Sequence, residues 1–301
     1  MSIMVGLELI SSCNLHCKMC NVRSRMSGTK LDRGKVSEIF WDIKRLNDYR
    51  HNLLKGIRFD GNTEPLVYKD IKQVLHECNI IYPQRLIRVI QTNGVLMDND
   101  IQYTILSNNI TNIIISVTGL TCEIYREFQG ANLPYDICEK NFSTVKNNII
   151  SLITLKKKMN VKMIVELRYI VTAETADEFI PYVYYWRKQG VNRITFTGYF
   201  GKKLTPSYNE VISYKHCSAF EYVMVRASGR VEMFCCETPQ YIGNVNEHSF
   251  FDIVTSDEVQ KYLKAHRELN INEMPLPCRE CHRIRVYKND KYYAGDEGVV
   301  I

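Results

Sequence analysis

The residues most able to do chemistry lie between positions 13 and 20, where Cys13, Cys17 and Cys20 are spaced C-x3-C-x2-C. Thiolate is the usual protein ligand of iron–sulfur clusters, and ligands this close in sequence turn around a single centre. Three thiolates leave one iron of a four-iron cluster without protein sulfur. The spacing therefore predicts a cluster whose open iron can hold a substrate or a cofactor.

A second group of cysteines lies towards the C-terminus. Ser228-Gly229-Arg230 separates two short apolar runs at 222–225 and 231–234, which is a hairpin signal. One cysteine precedes this hairpin, one closes it, and a C-x2-C pair follows a proline-rich return of the chain. Four thiolates from a hairpin and a returning loop can enclose one metal centre. The four are Cys217, Cys235, Cys278 and Cys281.

The elements that position the first cysteines alternate between strand and helix. An apolar strand at 4–10 precedes the triplet, so the loop falls at the carboxyl end of a strand, where α/β folds place their chemistry. Six strands alternating with helices predict a parallel α/β arrangement with right-handed crossovers. The predicted strands are 4–10, 55–60, 86–91, 113–119, 162–171 and 193–199, and the helices are 36–54, 68–78, 141–159 and 176–189.

The triplet and the strand before it resemble the signature of the radical S-adenosylmethionine (SAM) superfamily. The resemblance implies an open partial (β/α)6 barrel with a [4Fe-4S] cluster on Cys13, Cys17 and Cys20. The open iron would chelate the amino and carboxylate groups of SAM, and reduction would release a 5′-deoxyadenosyl radical that takes hydrogen from a substrate carbon. A structural zinc knuckle is the competing interpretation, although zinc usually takes four ligands and C-x2-C pairs.

The resemblance also implies SAM contacts at the ends of the following strands. Gly61 and Glu64 stand where the superfamily has a Gly-Gly-Glu stretch, although a plain Gly/Asn/Pro turn explains the same residues. Asn93 lies in a Thr-Asn-Gly strand-end turn, and Ser116 stands where relatives contact the SAM ribose or carboxylate. Arg168 lies on a strand whose polar residues contact SAM in relatives, and the alternating face of a half-exposed strand is the alternative.

The C-terminal cysteines resemble the twitch domain, a shortened SPASM domain of some radical SAM enzymes. This implies an auxiliary [4Fe-4S] cluster on Cys217, Cys235, Cys278 and Cys281, and one such cluster rather than two, because no cysteine follows Cys281. A zinc ribbon with four cysteines is the alternative. The chain then divides into a barrel (1–200), a linker (201–214), a small α+β iron–sulfur domain (215–285) with a helix at 250–267, and a tail (286–301).

Cys236 adjoins a predicted ligand and bears on the reaction type. Consecutive residues of a strand point to opposite sides, so its thiol can face a substrate between the two clusters. This resembles radical SAM epimerases, in which a cysteine returns a hydrogen atom to the opposite face of the carbon. Packing as a small hydrophobe is the alternative for Cys236, and Cys122 and Cys138, which lack ligand spacing, are interpreted in that way.

The composition limits the class of protein, its cellular compartment and the kind of molecule that it binds. The 301 residues are 45% hydrophobic and 24% charged, as in a globular protein, and no apolar run approaches the ~20 residues of a membrane span. Eleven cysteines without a secretory signal predict a reducing, cytoplasmic location. The scattered net charge of +6 suits an anionic small molecule better than nucleic acid.

Three reactions follow from the same hydrogen abstraction. We expect epimerisation of a sugar or cyclitol carbon, with Cys236 as hydrogen donor and flavodoxin or ferredoxin as electron donor. Dehydrogenation of an alcohol on an aminocyclitol or sugar, with the auxiliary cluster taking an electron, is the first alternative. Radical maturation of a ribosomal peptide is the second, and a non-catalytic iron–sulfur sensor or partner-binding protein is the third.

Overall fold

A parallel sheet is the framework of the molecule, and its strands β1 to β6 lie side by side in the order of the chain. The computed structural model describes residues 3–20, 26–49, 53–61, 63–82, 86–131, 133–172, 174–198, 221–233, 239–268, 270–279 and 299–300. The parallel strands are β1 (Ile3–Leu7), β2 (Leu54–Phe59), β3 (Ile87–Thr92), β4 (Asn112–Ser116), β5 (Ile164–Val171) and β6 (Arg193–Gly198). This mixed α/β architecture confirms the predicted fold class.

Helices connect these strands and cover one face of the sheet. They are α1 (Arg33–Tyr49), α2 (Ile71–Ile81), α3 (Asn99–Ser107), α4 (Cys122–Phe128), α5 (Tyr135–Lys158) and α6 (Phe179–Gln189). The buried residues of α1 show why it packs here, because Val36, Ile39, Phe40 and Ile43 fall on one side at helical spacing. They meet strand residues such as Val5 and form one continuous apolar core.

The other face of the sheet, which we call the inner face, is polar. Because side chains alternate along a strand, every second residue of neighbouring strands points to this side. Register places Gly6 beside Arg58 and Ser116 beside Arg168. The inner face is defined by Glu8, Arg58, Asp60, Gln91, Ser116, Glu166, Arg168, Thr195, Tyr222, Arg226 and Glu232.

The C-terminal part extends the same sheet instead of forming a separate layer. Strand β7 (Tyr222–Val225) pairs in parallel with β1, and β8 (Arg230–Met233) and β9 (Gln240–Asn244) follow it antiparallel. A two-residue strand β10 (Val299–Val300) pairs with β6 at the opposite edge. Helices α7 (Phe250–Thr255), α8 (Asp257–Glu268) and α9 (Leu276–Arg279) complete the described chain, and none of the described helices is long and apolar enough to cross a membrane.

The element boundaries differ from the predicted ones in a few places. The helix predicted at 36–54 ends at Tyr49, and the helix predicted at 250–267 is two helices, because Ser256 adopts an extended ψ of 147° between them. Helices α3 and α4 are absent from the prediction, and the helix predicted at 141–159 begins earlier, at Tyr135. The hairpin at 228–230 is confirmed, and α6 ends at Gly190, whose φ is +100°.

Candidate active site at the carboxyl ends of the strands

The cysteine loop leaves β1 at its carboxyl end and turns tightly. Cys13, Cys17 and Cys20 are all half-buried thiols, and the N–H of Cys20 donates to the carbonyl of Cys17 at 3.2 Å. Leu15 is buried beneath the loop, and its N–H donates to Cys13 Sγ at 3.4 Å. The loop therefore presents its three predicted ligands on one short turn.

Helix α4 holds the middle of this loop. The backbone N–H of Lys18, which lies between two of the cysteines, donates to the carbonyl of Phe128 at 2.9 Å. The Lys18 ammonium also contacts Glu127 at 3.3 Å, although this pair is largely exposed and adds little. The backbone hydrogen bond fixes the loop against the end of α4.

Glu64 is the buried carboxylate of the site and is 1% exposed. Its Oε1 accepts the Leu66 N–H at 3.1 Å and the Thr92 hydroxyl at 2.8 Å, and its Oε2 accepts the Asn93 N–H at 2.7 Å. Burial raises the pKa of this carboxyl to about 7, against the opposing effect of these three donors. Glu64 thus ties the turn after β2 to the turn after β3.

Asn93 links the turn after β3 to the cysteine loop through hydrogen bonds. Its amide Nδ2 donates to Asn14 Oδ1 at 2.7 Å and lies 3.7 Å from Cys13 Sγ, and its Oδ1 accepts the N–H of Val95 at 3.0 Å. The backbone N–H of Glu64 also donates to the carbonyl of Ser12 at 3.0 Å. The structure therefore brings the residues predicted after β1, β2 and β3 into one hydrogen-bonded group.

Gly61 lies at the edge of that group, with a φ of +126° that favours glycine. A Cβ on Gly61 would stand 2.7 Å from the Glu8 side chain, so a larger residue would collide with the end of β1. The carbonyl of Gly61 is 3.5 Å from the Arg226 guanidinium. The turn predicted to bind SAM therefore lies directly against the inner face.

Ser116 and Arg168 are partners in the β4–β5 register and lie side by side on the inner face. Arg168 donates to Gln91 Oε1 at 3.2 Å, and Arg58 donates to the same oxygen. Within the described chain Arg168 has no carboxylate in salt-bridge contact, and its buried Nε lacks a hydrogen-bond partner. Burial and the neighbouring Arg58 lower the pKa of this guanidinium, against the opposing effect of Glu166 and Asp60.

Buried ion pairs occupy the remainder of the inner face. Arg226 contacts Glu8 at 3.0 Å and Glu232 at 2.8 Å, and it thereby links β1 to the C-terminal hairpin. Tyr222 donates its hydroxyl to Asp60 at 2.6 Å across Gly6, where a Cβ would come within 2.4 Å of the tyrosine oxygen. The sequence prediction missed these contacts because they join residues far apart in the chain.

The second cysteine set falls mostly outside the described residues. Cys217, Cys235, Cys236 and Cys281 are not among them, so their predicted roles stay predictions. Cys278 is described: it is buried, 5% exposed, and its N–H donates to the carbonyl of Pro275 at 2.9 Å. Cys122 and Cys138, interpreted as ordinary thiols, are half-buried and buried.

The donor set at the first site suits an iron–sulfur cluster. Burial raises the pKa of the Cys13 thiol to about 11, so its thiolate needs a nearby positive charge such as iron. Two N–H groups already point at this sulfur, as they do at cluster ligands. Among the described side chains, no set of three or more acidic, histidine or cysteine groups is gathered around one point, so the fit rests on the donors themselves.

Comparison with known proteins gives a domain match and a set of similar structures. Residues 217–282 match SPASM, an iron–sulfur cluster-binding domain. No protein with a curated description matches the chain. Streptococcus suis SuiB bound to the precursor peptide SuiA is 14% identical, with a TM-score of 0.62 over 88% of this chain and 67% of SuiB.

Two further structures align over almost the whole chain. BtrN in complex with AdoMet and 2-DOIA is 17% identical, with a TM-score of 0.53 over 99% of both chains. Native anSMEcpe with bound AdoMet is 15% identical, with a TM-score of 0.63 over 98% of this chain and 92% of anSMEcpe. At these identities the likeness establishes a shared fold.

Proposed function

We propose that this chain, which has the fold of the radical SAM enzymes and carries a SPASM domain at residues 217–282, cleaves SAM reductively and abstracts hydrogen from a substrate C–H. The observation that carries the proposal is the group built on Asn93. Its side chain contacts Asn14 and Cys13 while its backbone N–H binds Glu64. One residue thus joins the predicted cluster loop to the predicted SAM turn.

The five predicted SAM contacts lie in two places. Gly61, Glu64 and Asn93 lie in the turns after β2 and β3, where Gly61 and Glu64 receive the SAM ammonium group and Asn93 holds their turn against Cys13. Ser116 and Arg168 lie side by side on the inner face, where a guanidinium with no carboxylate partner among the described residues suits the SAM carboxylate. These roles extend the resemblance of the sequence to the geometry of this chain.

Cys13, Cys17 and Cys20 would hold a cluster, and this cluster would supply the electron that splits SAM into methionine and a 5′-deoxyadenosyl radical. The protein keeps the loop fixed against α4 through the Lys18–Phe128 hydrogen bond, and the apolar core behind the sheet keeps the strand ends in place. Flavodoxin or ferredoxin is the electron donor that we propose. The substrate lies over the inner face.

A sugar or cyclitol is the substrate class that we propose, with epimerisation as the reaction. The radical removes a hydrogen atom from the carbon, and the Cys236 thiol returns one to the opposite face. The Cys236 thiyl then takes an electron and a proton, with the auxiliary cluster on Cys217, Cys235, Cys278 and Cys281 passing the electron. The alignment with BtrN, whose structure contains AdoMet and 2-DOIA, over 99% of both chains supports a small substrate.

Two other outcomes have specific support. In alcohol dehydrogenation the substrate radical loses a proton and passes its electron to the auxiliary cluster, and the BtrN alignment is compatible with this reaction as well. Peptide maturation is favoured by the likeness to SuiB bound to SuiA and to anSMEcpe bound to a peptide. A peptide substrate would need the inner face to open widely enough for a chain.

Anaerobic reconstitution tests the shared core of the proposal. The full chain is loaded with iron and sulfide, reduced with dithionite and given SAM, and 5′-deoxyadenosine is measured by mass spectrometry. Cys17→Ala should abolish 5′-deoxyadenosine formation, whereas Cys122→Ala, a half-buried thiol outside the loop, should leave it unchanged. Zinc in place of iron, or no 5′-deoxyadenosine from the iron-loaded chain, would favour a non-catalytic sensor.

A further inference from the structure

We propose that the Tyr125 hydroxyl donates a hydrogen bond to the iron–sulfur cluster on Cys13, Cys17 and Cys20 and thereby raises its reduction potential. The inference rests on the proposed function, because it concerns the cluster that this function requires. Tyr125 lies on α4, outside the cysteine loop, and would act on the reduction potential of the cluster without being one of its ligands.

Tyr125 is fully buried, and its hydroxyl has no hydrogen-bond partner among the described residues. Other fully buried tyrosines of the chain behave differently. Tyr68, Tyr169 and Tyr182 each donate to a backbone carbonyl at 2.9 Å. Since burying a hydroxyl without a partner is unfavourable, the exception at Tyr125 indicates an acceptor that the described residues do not supply.

The position of Tyr125 shows where that acceptor lies. Tyr125 and Phe128 are three residues apart on the buried side of α4, and the Phe128 carbonyl binds the N–H of Lys18 inside the cysteine loop. The Tyr125 ring packs against Phe142 with 5.2 Å between centroids, which fixes the ring on this side of α4. Burial, and then the proximity of Cys17 above all, raise the pKa of Tyr125, so the phenol remains a proton donor.

The chemistry of the cluster completes the match. Inorganic sulfides and cysteine thiolates accept hydrogen bonds, and such bonds are among the factors that set cluster potentials. The reduced cluster carries more negative charge than the oxidised one, so a donor stabilises the reduced form more. Tyr125 would therefore ease the reduction that precedes SAM cleavage.

Tyr125→Phe removes one oxygen atom and tests the proposal, with Tyr182→Phe as a matched control at an equally buried site that already has an acceptor. The anaerobically reconstituted full chain is titrated electrochemically, and the cluster whose EPR signal changes with SAM is followed. Tyr125→Phe should shift its potential to more negative values, and Tyr182→Phe should leave it unchanged. An unchanged potential in Tyr125→Phe overturns the inference.

Pulsed EPR after exchange into D2O gives a second, direct readout of this hydrogen bond. The N–H groups of Leu15 and Asn93 also exchange beside Cys13, so the wild type should show one coupled deuteron more than Tyr125→Phe. The same set of coupled deuterons in both chains overturns the inference and leaves the proposed function intact. A chain that forms no SAM-responsive cluster at all overturns both.

Discussion

The Glu64 carboxylate accepts the backbone N–H of Asn93 with 2.7 Å between Oε2 and nitrogen. The two residues are twenty-nine positions apart and lie on the turns that follow neighbouring strands. Because Asn93 also contacts Cys13, a change at either residue is felt at the cysteine loop. The first two predictions concern this pair.

Asn93→Ala should lower the rate of SAM cleavage by roughly 10- to 100-fold, since outer residues that orient a metal ligand typically have effects of this size. Asn148→Ala is the control, because Asn148 supports the same turn through the carbonyl of Gly94 at 2.9 Å without a described hydrogen bond to Cys13. Initial rates of 5′-deoxyadenosine formation check this. Equal rates in the two variants would contradict a role for the Asn93–Cys13 contact.

Glu64 should make the metal-free chain less stable as pH rises. Its folded pKa of about 7 lies above the ordinary glutamate value of 4.5, so the carboxyl ionises first in the unfolded chain, which gains stability relative to the folded chain through this window. The loss should reach roughly 3 kcal/mol by neutral pH, and it should be absent below about pH 4.5. Urea unfolding from pH 4.5 to 7 measures the slope, which Glu64→Gln should flatten; identical slopes would refute the assignment.

Arg226→Met should destabilise the chain far more than Arg230→Met. Arg226 is 18% exposed and contacts both Glu8 and Glu232, so its removal leaves the buried Glu8 carboxylate without a salt-bridge partner among the described residues and costs roughly 3 kcal/mol. Arg230 contacts Glu232 at 2.6 Å but is 48% exposed, and its loss should cost about 1 kcal/mol or less. The free energy of unfolding in urea compares them, and equal losses would show that Arg226 does not hold the hairpin to β1.

Arg168→Gln should weaken SAM binding by roughly 10- to 100-fold if the guanidinium holds the SAM carboxylate, as expected for a charged hydrogen bond. The control is Arg193→Gln on the neighbouring strand, because Arg193 is already paired with Glu166 at 3.2 Å and is 42% exposed. Calorimetric titration of the reconstituted chain with SAM gives both affinities. Unaltered affinity in Arg168→Gln would assign this residue to the substrate or to the framework.

Cys236→Ala separates the two small-molecule reactions. An epimerase in D2O yields a product with one solvent deuterium and otherwise unchanged mass, and the variant should lose it. A dehydrogenase yields a product lighter by two hydrogens, and the variant should retain that activity. Mass spectrometry of a panel of sugars and aminocyclitols with the wild type and the variant decides between them, and a deuterated product from Cys236→Ala would exclude this thiol as the donor.

Much of the fold was predictable because short stretches of the sequence carry the hydrophobic periodicity of individual strands and helices. Apolar runs of strand length alternate with helical stripes such as Val36, Ile39 and Phe40, and these periods predict a parallel α/β sheet. Gly190 marks the end of α6 because its positive φ suits glycine. Helix α3 escaped prediction because it is short and its buried residues, Ile101, Gln102 and Ile105, include a polar one.

The sequence by itself determined the kind of metal centre predicted for this site, since the number and spacing of the cysteines limit which centre a short loop can bind. Only the tertiary structure decided which distant residues meet that loop. Glu64, Asn93 and Phe128 reach it through strand register and helix packing, and Arg226 joins β1 to the hairpin that extends the sheet. Such contacts depend on where separate strands end in space, and no local pattern of residues encodes that distance.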